Sequence, residues 1–164
     1  MICCKQIPIP ILSIPYKKIV FLHDNLQHLF SARYENRTAW KSFDLIVDGK
    51  KSALLKHLSE LTDWIILLEK TTAINHIKHM YLAVLAPYNQ IPWHYDRSDH
   101  NFDKSFITSI HTQKSFIEFA NDKKYVYKQG YSYIIRSGIE HKIFNLNNSI
   151  RITLCTTPKE NPYA

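Results

Sequence analysis

Glycine is nearly missing: the chain of 164 residues has three, at Gly49, Gly130 and Gly138. Neither a GxGxxG dinucleotide loop nor a GxxxxGK phosphate loop can be written with those positions, and no GxSxG nucleophile elbow exists. Chemistry built on those devices is excluded. Cysteine is equally sparse, and Cys3, Cys4 and Cys155 make an odd count without a CxxC. Adjacent cysteines rarely bridge, because the geometry of neighbouring residues strains the bond. A reduced intracellular chain fits this usage, and a soluble cytoplasmic protein is expected. Long apolar runs are also lacking. The first 18 residues carry Lys5 early and are broken by Pro8, Pro10 and Pro15, so they hold no signal-peptide core, and no window reaches transmembrane length.

What is present points to one folded domain over 1–164. Hydrophobic residues make up 45% and aromatics 13%, enough for a core at this length. The net charge of +7 comes from 21 Lys and Arg against 14 Asp and Glu. The pairs Lys17-Lys18, Lys50-Lys51 and Lys123-Lys124 lie far apart, so the charge reads as a solvated basic surface rather than a nucleic-acid arm.

Residues 1–76 read as an α/β support region. An extended lead-in over 6–15 precedes a β-like run at 19–22. Asp24 is placed to cap a helix to about residue 34, with Leu26, Leu29 and Phe30 on one side. Residues 40–47 alternate weakly, as a strand does. Over 51–70, Leu54, Leu55, Leu58, Leu61, Ile65 and Leu68 keep a helical period. Beyond that the character changes. Strands are predicted at 78–86, 91–95, 105–112, 115–120, 124–128, 131–136, 140–146 and 149–156. Short strands at such spacing suggest an antiparallel sandwich or barrel, backed on one face by the helices.

Ile91-Pro92-Trp93-His94-Tyr95-Asp96 is the informative segment. On a strand, residues two apart share a face, so His94 and Asp96 can present an imidazole and a carboxylate to one point. A bare HxD is common by chance. His141, opening a predicted strand, would complete two His and one carboxylate, a set suited to Fe(II) with open positions for oxygen chemistry. Ten residues on, Arg151 sits on the next strand. Ile150, Ile152 and Leu154 form one apolar face there, so Arg151 and Thr153 share the other. An Arg inside a barrel needs an anion.

The combination of HxD, distal His and Arg resembles the 2-oxoglutarate/Fe(II) oxygenases. His141-Lys142-Ile143-Phe144-Asn145, followed by Arg151-Ile152-Thr153-Leu154, looks like the aspartyl/asparaginyl β-hydroxylase and proline-hydroxylase branch. Tyr127-Lys128-Gln129-Gly130-Tyr131-Ser132-Tyr133-Ile134 and the stretch from Leu82 to Pro87 are similar to the strands before its distal His and its HxD. The likeness covers 78–157. It implies a double-stranded β-helix, a jelly-roll or cupin-like barrel over 77–157, mainly β and buttressed by N-terminal helices. It also implies Fe(II) on His94, Asp96 and His141, with 2-oxoglutarate and O₂ as co-substrates. The far carboxylate of 2-oxoglutarate would pair with Arg151, helped by Thr153. Oxidative decarboxylation to succinate and CO₂ would then be coupled to hydroxylation of an amino acid, a peptide side chain or a related small metabolite. Halogenating members replace the carboxylate that Asp96 keeps.

Two departures bear on the substrate. Where the branch carries an Arg-x-His pair, this chain has Lys104-Ser105-Phe106-Ile107, and His111 is the nearest substitute. Where nucleic-acid demethylases carry a second Arg, it has Thr157, which disfavours a nucleic-acid substrate. Substrate contacts are sought at Trp93, Arg97, His100 and His111, with Asp99 and Asp103 in a loop over the metal. His76 and His79 read as solvated residues at a strand entry, and Asn145 as a brace for the turn before Arg151. Trp40 and Trp93 read as core or pocket wall, and the tyrosines at 125, 127, 131 and 133 as packing, one of them available to the co-substrate. The rival functions are a non-catalytic cupin-type protein holding a metal or small ligand, a nucleic-acid-modifying dioxygenase, and a metal-dependent isomerase.

Overall fold

The computed structural model describes residues 3–9, 11–25, 31–32, 39–71, 76–96, 105–121, 123–136 and 138–159. From residue 77 onward it contains strands close to the predicted windows. These are β5 (Ile77–Leu85), β6 (Gln90–His94), β7 (Ser105–His111), β8 (Ser115–Phe119), β9 (Lys124–Val126), β10 (Ser132–Ile135), β11 (His141–Asn145) and β12 (Arg151–Pro158). Their pairing is antiparallel throughout. One sheet contains the order β10-β7-β12-β5, and a smaller one runs β6-β11-β8-β9. Successive strands therefore cross between two facing sheets, pausing in one only for the β8–β9 hairpin. This is a double-stranded β-helix.

The N-terminal third extends the large sheet as well as covering it. β1 (Cys4–Gln6) pairs with β10, and β3 (Trp40–Val47) pairs with β5. β2 (Ser31–Ala32) and β4 (Lys50–Lys51) both pair with β3. The β3–β4 hairpin turns on Asp48-Gly49 with both φ angles positive, 49° and 77°. An Asp-Gly pair is suited to such a turn, so the chain at 50–51 is strand rather than the start of a helix. A 3₁₀ turn at Ala53–His57 and a helix, α2 (Ser59–Thr71), come next, separated at Leu58.

The other helix also differs from expectation. The run at 19–22, predicted as β, lies within α1 (Tyr16–Asn25). Ile19 is buried and Leu22 half-buried three residues on, while Phe21 is exposed, which is a helical face. Asp24 falls at the end of this helix and caps nothing at its start. The expected helix cannot reach residue 34, because Ser31 and Ala32 are strand; Leu26, Leu29 and Phe30 lie outside the described residues. No helix among the described residues is long and apolar enough to cross a membrane.

Two apolar clusters result. Ile19, Leu54, Leu58, Leu61, Ile65 and Leu68 pack on the outer face of the large sheet against Met80, Leu82, Val84, Phe106, Ile152 and Leu154. Trp40, Leu85, Ile91, Ile107, Ile117, Phe119, Tyr127 and Ile143 fill the space between the sheets. Each such Leu, Ile or Phe contributes about 1.5–3 kcal/mol of burial. The alternation on β12 therefore directs Ile152 and Leu154 to the helices and Arg151 and Thr153 into the barrel.

The proline-punctuated lead-in is fastened at Gly130, whose carbonyl accepts from the Leu12 N–H at 2.8 Å. Gly130 has φ +84°, and a Cβ there would stand 2.7 Å from Ile11 Cγ2 and 2.8 Å from the Leu12 carbonyl oxygen. Gly130→Ala is expected to destabilise the protein by about 2 kcal/mol or more, seen as a lower urea midpoint. An unchanged midpoint would show that the lead-in does not hold this position.

Candidate metal centre

β6 and β11 are distant in sequence, but they pair with His94 opposite His141. The pairing is irregular: three steps along β6 from Ile91 to His94 match two along β11 from Ile143 to His141. The extra residue falls at Pro92-Trp93, where proline has no N–H to give the ladder. Because of this bulge, Ile91 and His94 both face the interior, while Trp93 faces out. Asp96 lies just past the strand end.

One ligand atom from each of His94, Asp96 and His141 lies within 4.8 Å of the others, a grouping found nowhere else among the described residues. His94 Nε2 is 3.6 Å from one Asp96 carboxylate oxygen, and His141 Nε2 is 3.8 Å from the other. The Nδ1–H of His94 donates to the Pro92 carbonyl at 2.7 Å, and that of His141 to the Ile139 carbonyl at 2.8 Å. A carbonyl can only accept, so both rings carry a proton on Nδ1, and in the neutral ring this leaves the Nε2 lone pair facing the carboxylate. Lone pairs and an anion converging on one point repel one another unless a cation stands between them. His141 is wholly buried, and its Nε2 has no hydrogen-bond partner among the described residues. Two imidazole nitrogens and a carboxylate on one side of a point suit Fe(II). The His94 ring lies 5.7 Å from Trp40 and the His141 ring 5.7 Å from Phe119, so apolar rings wall the inner side.

In the same barrel, Arg151 is 2% exposed, and its Nε and Nη2 have no hydrogen-bond partner among the described residues. Its guanidinium stands 5.6 Å from the Tyr127 ring. Burial pulls its pKa below the usual value, opposed by Tyr127 and Cys155. A guanidinium nevertheless stays charged. Thr153 shares its face and pairs across to Ser109, whose buried hydroxyl also has no partner among the described residues. Tyr127 carries another such hydroxyl. The entry of Arg151 into the barrel is set by Asn145. Its amide nitrogen lies 3.2 Å from the Leu85 carbonyl, 3.0 Å from that of Ala86 and 2.8 Å from that of Ser149, tying the β11–β12 turn to the end of β5.

The expected substrate contacts fare differently. Trp93 is 41% exposed on the outer face, with Lys142 Nζ 4.6 Å over its ring, and so lies on the opposite side of the strand from His94. His111 is displaced by a second bulge, where Ser109 opposes Thr153 but His111 opposes Ile152. Its Nε2 meets the Ser149 hydroxyl at 3.0 Å, so it supports the turn rather than the metal point. Arg97, Asp99, His100 and Asp103 lie outside the described residues. His79 meets Asp48 at 3.4 Å, away from the site. Ser109 was not singled out in the sequence, and Tyr127 was one of four tyrosines of which one was available to the co-substrate, since strand-spaced Tyr and Ser look the same whether they pack or bind.

A buried guanidinium without an anion opposes folding. Arg151→Met should make the ligand-free protein more stable, by about 1–3 kcal/mol in urea unfolding. A loss of stability would show that Arg151 is satisfied within the fold.

A family model described as aspartyl/asparaginyl beta-hydroxylase matches residues 18–159. Curated protein sequences give no match. Among solved structures, a Pseudomonas putida prolyl-4-hydroxylase superposes with TM-score 0.55 at 11% identity, over 97% of this chain and 93% of that one. An oxidoreductase of the 2OG-Fe(II) oxygenase family from Burkholderia pseudomallei gives 0.54 at 13% identity, over 94% and 82%. The viral collagen prolyl hydroxylase of Paramecium bursaria Chlorella virus-1, in its 2-oxoglutarate complex, gives 0.53 at 9% identity, over 94% and 93%. At such identities the likeness speaks for the fold alone.

Proposed function

Because the chain belongs to the aspartyl/asparaginyl β-hydroxylase family, we propose that it is an Fe(II)- and 2-oxoglutarate-dependent oxygenase that hydroxylates an amino acid, a peptide side chain or a related small metabolite. The observation that carries this reading is the buried Arg151, with two guanidinium nitrogens unpartnered among the described residues, in the same interior as His94, Asp96 and His141. Metal coordination alone would not need it.

In this reading, His94 and His141 give their Nε2 lone pairs to Fe(II), and Asp96 supplies the negative charge that offsets part of the metal's. Pro92 and Ile139 hold the two rings in the ligating tautomer through the Nδ1 bonds. Nε and Nη2 of Arg151 form one edge of the guanidinium, the geometry that takes a carboxylate in a bidentate grip. Thr153 stands beside it on the same strand face to add a hydroxyl. When bound, Fe(II) and 2-oxoglutarate supply the oxidising power from O₂, leaving succinate and CO₂. The protein positions them and excludes water: Trp40 and Phe119 crowd the histidines on the inner side. Cys3, Cys4 and Cys155 are all unbridged thiols, in keeping with the proposed cytoplasmic setting. The partner is a small molecule or peptide.

The test is succinate formation from 2-oxoglutarate after anaerobic loading with Fe(II) and admission of oxygen. Asp96→Ala should abolish it. Arg151→Ala should mainly raise the 2-oxoglutarate requirement, by about 10- to 100-fold for lost hydrogen bonds to a charged group. Full activity in Asp96→Ala would show the site to be misassigned, and metal binding without succinate would leave a cupin-type binding protein.

A further inference from the structure

We propose that Lys142, on the outer face of the small sheet, is a positioning residue for the metal centre: its cation holds the Trp93 ring outside the barrel and so keeps His94 turned inward opposite His141. This rests on the metal-centre part of the reading above.

Between the pairs Ile91–Ile143 and His94–His141, β6 has two residues, Pro92 and Trp93, and β11 has one, Lys142. Lys142 is thus the single residue opposite the bulge. Regular pairing onward from Ile91 would set Pro92 against Lys142 and Trp93 against His141. Trp93 would then enter the barrel and His94 would leave it. An indole gains by that exchange, since Trp93 is 41% exposed where it stands. The bulged register therefore places an apolar ring in solvent and an imidazole inside, and it needs an opposing attraction on the outer face.

Lys142 supplies it. Its Nζ stands 4.6 Å over the Trp93 ring, 4.9 Å over the Phe144 ring and 3.3 Å from a Glu118 carboxylate oxygen. Glu118 is the residue paired with Lys142 on β8, so the ammonium has contacts on both strands that flank β11. Phe144 is itself fixed by stacking on Phe116 at 4.6 Å. The side chains of Lys142 and Glu118 are only 22% and 13% exposed, so solvent screens these attractions less than it would on a fully wetted surface. Pro92 acts in the same direction. It has no N–H to restore the ladder, and its carbonyl accepts the His94 Nδ1–H at 2.7 Å. At neighbouring positions, the same two strands thus carry a cation–ring pair outside and the imidazole pair inside.

The test is Mn(II) titration of the metal-free protein without oxygen, followed by electron paramagnetic resonance, with urea unfolding of each variant alongside. Lys142→Met keeps the apolar stem and removes the charge. It should weaken Mn(II) about 10- to 100-fold, the range for residues that orient a metal ligand. Lys142→Arg, whose cation also stacks on rings, should stay within about twofold of the parent. Trp93→Thr removes the ring that favours the inward register, so adding Lys142→Met to it should change Mn(II) affinity by no more than about twofold. Unchanged affinity in Lys142→Met, with or without a lower urea midpoint, would make the cluster structural only and overturn the inference. So would an equal loss in Lys142→Arg, or an equal loss from Lys142→Met in the parent and in Trp93→Thr. If the parent does not bind Mn(II), or Asp96→Ala binds it equally well, the metal-centre reading itself fails.

Discussion

β12 is flanked by β5 and β7 within the large sheet and is buried on both faces, and its alternation divides the molecule. Ile152 and Leu154 join the helices on one side, where their burial favours folding. Arg151 and Thr153 point to the other, where a charge and a hydroxyl enter the space between the sheets. A slip of one residue would expose the apolar pair to the barrel and bury the Arg against α2. The apolar contact on one side therefore fixes the position of the cation on the other. Asn145 secures the same register from the turn by reaching the carbonyls of Leu85, Ala86 and Ser149.

The site is assembled by two departures from regular pairing. At Pro92-Trp93 the bulge brings His94 to the interior opposite His141, and at His111 another turns an imidazole away from it. Both arise from the period of two along a strand: one extra residue reverses the face of every residue after it. Of the histidines expected near the metal, one is thereby included and another assigned to the turn that carries Arg151. The interior that results has several buried polar atoms without partners among the described residues, on His141, Arg151, Tyr127 and Ser109. A fold keeps such atoms at a cost in stability, and a ligand that satisfies them recovers it.

The strands after residue 76 were legible because they are short, rich in Ile, Phe, Tyr, Val and Thr, and separated by polar breaks. Their limits shift by only one or two residues. The N-terminal third was less legible. Ile19 and Leu22 suit a strand by composition and a helix by their spacing of three, and packing on the large sheet decides for the helix. The helical period over 51–70 begins too early, since Lys50 and Lys51 are held by the hairpin at Asp48-Gly49. That turn could have been read from its two residues.

By itself, the sequence singled out the two imidazoles, the carboxylate and the guanidinium that share the interior, because residue type and spacing along one strand are local properties. It also determined the alternation that places Arg151 opposite Ile152. Tertiary structure alone decided which atoms lack a partner, since that depends on what other strands bring or fail to bring. It separated Tyr127 from Tyr133, two strand tyrosines of equal standing in the sequence, by giving one a backbone N–H and leaving the other beside a buried cation. It moved Trp93 and His111 away from the metal point, because a bulge is a relation between two strands and cannot be read from either one.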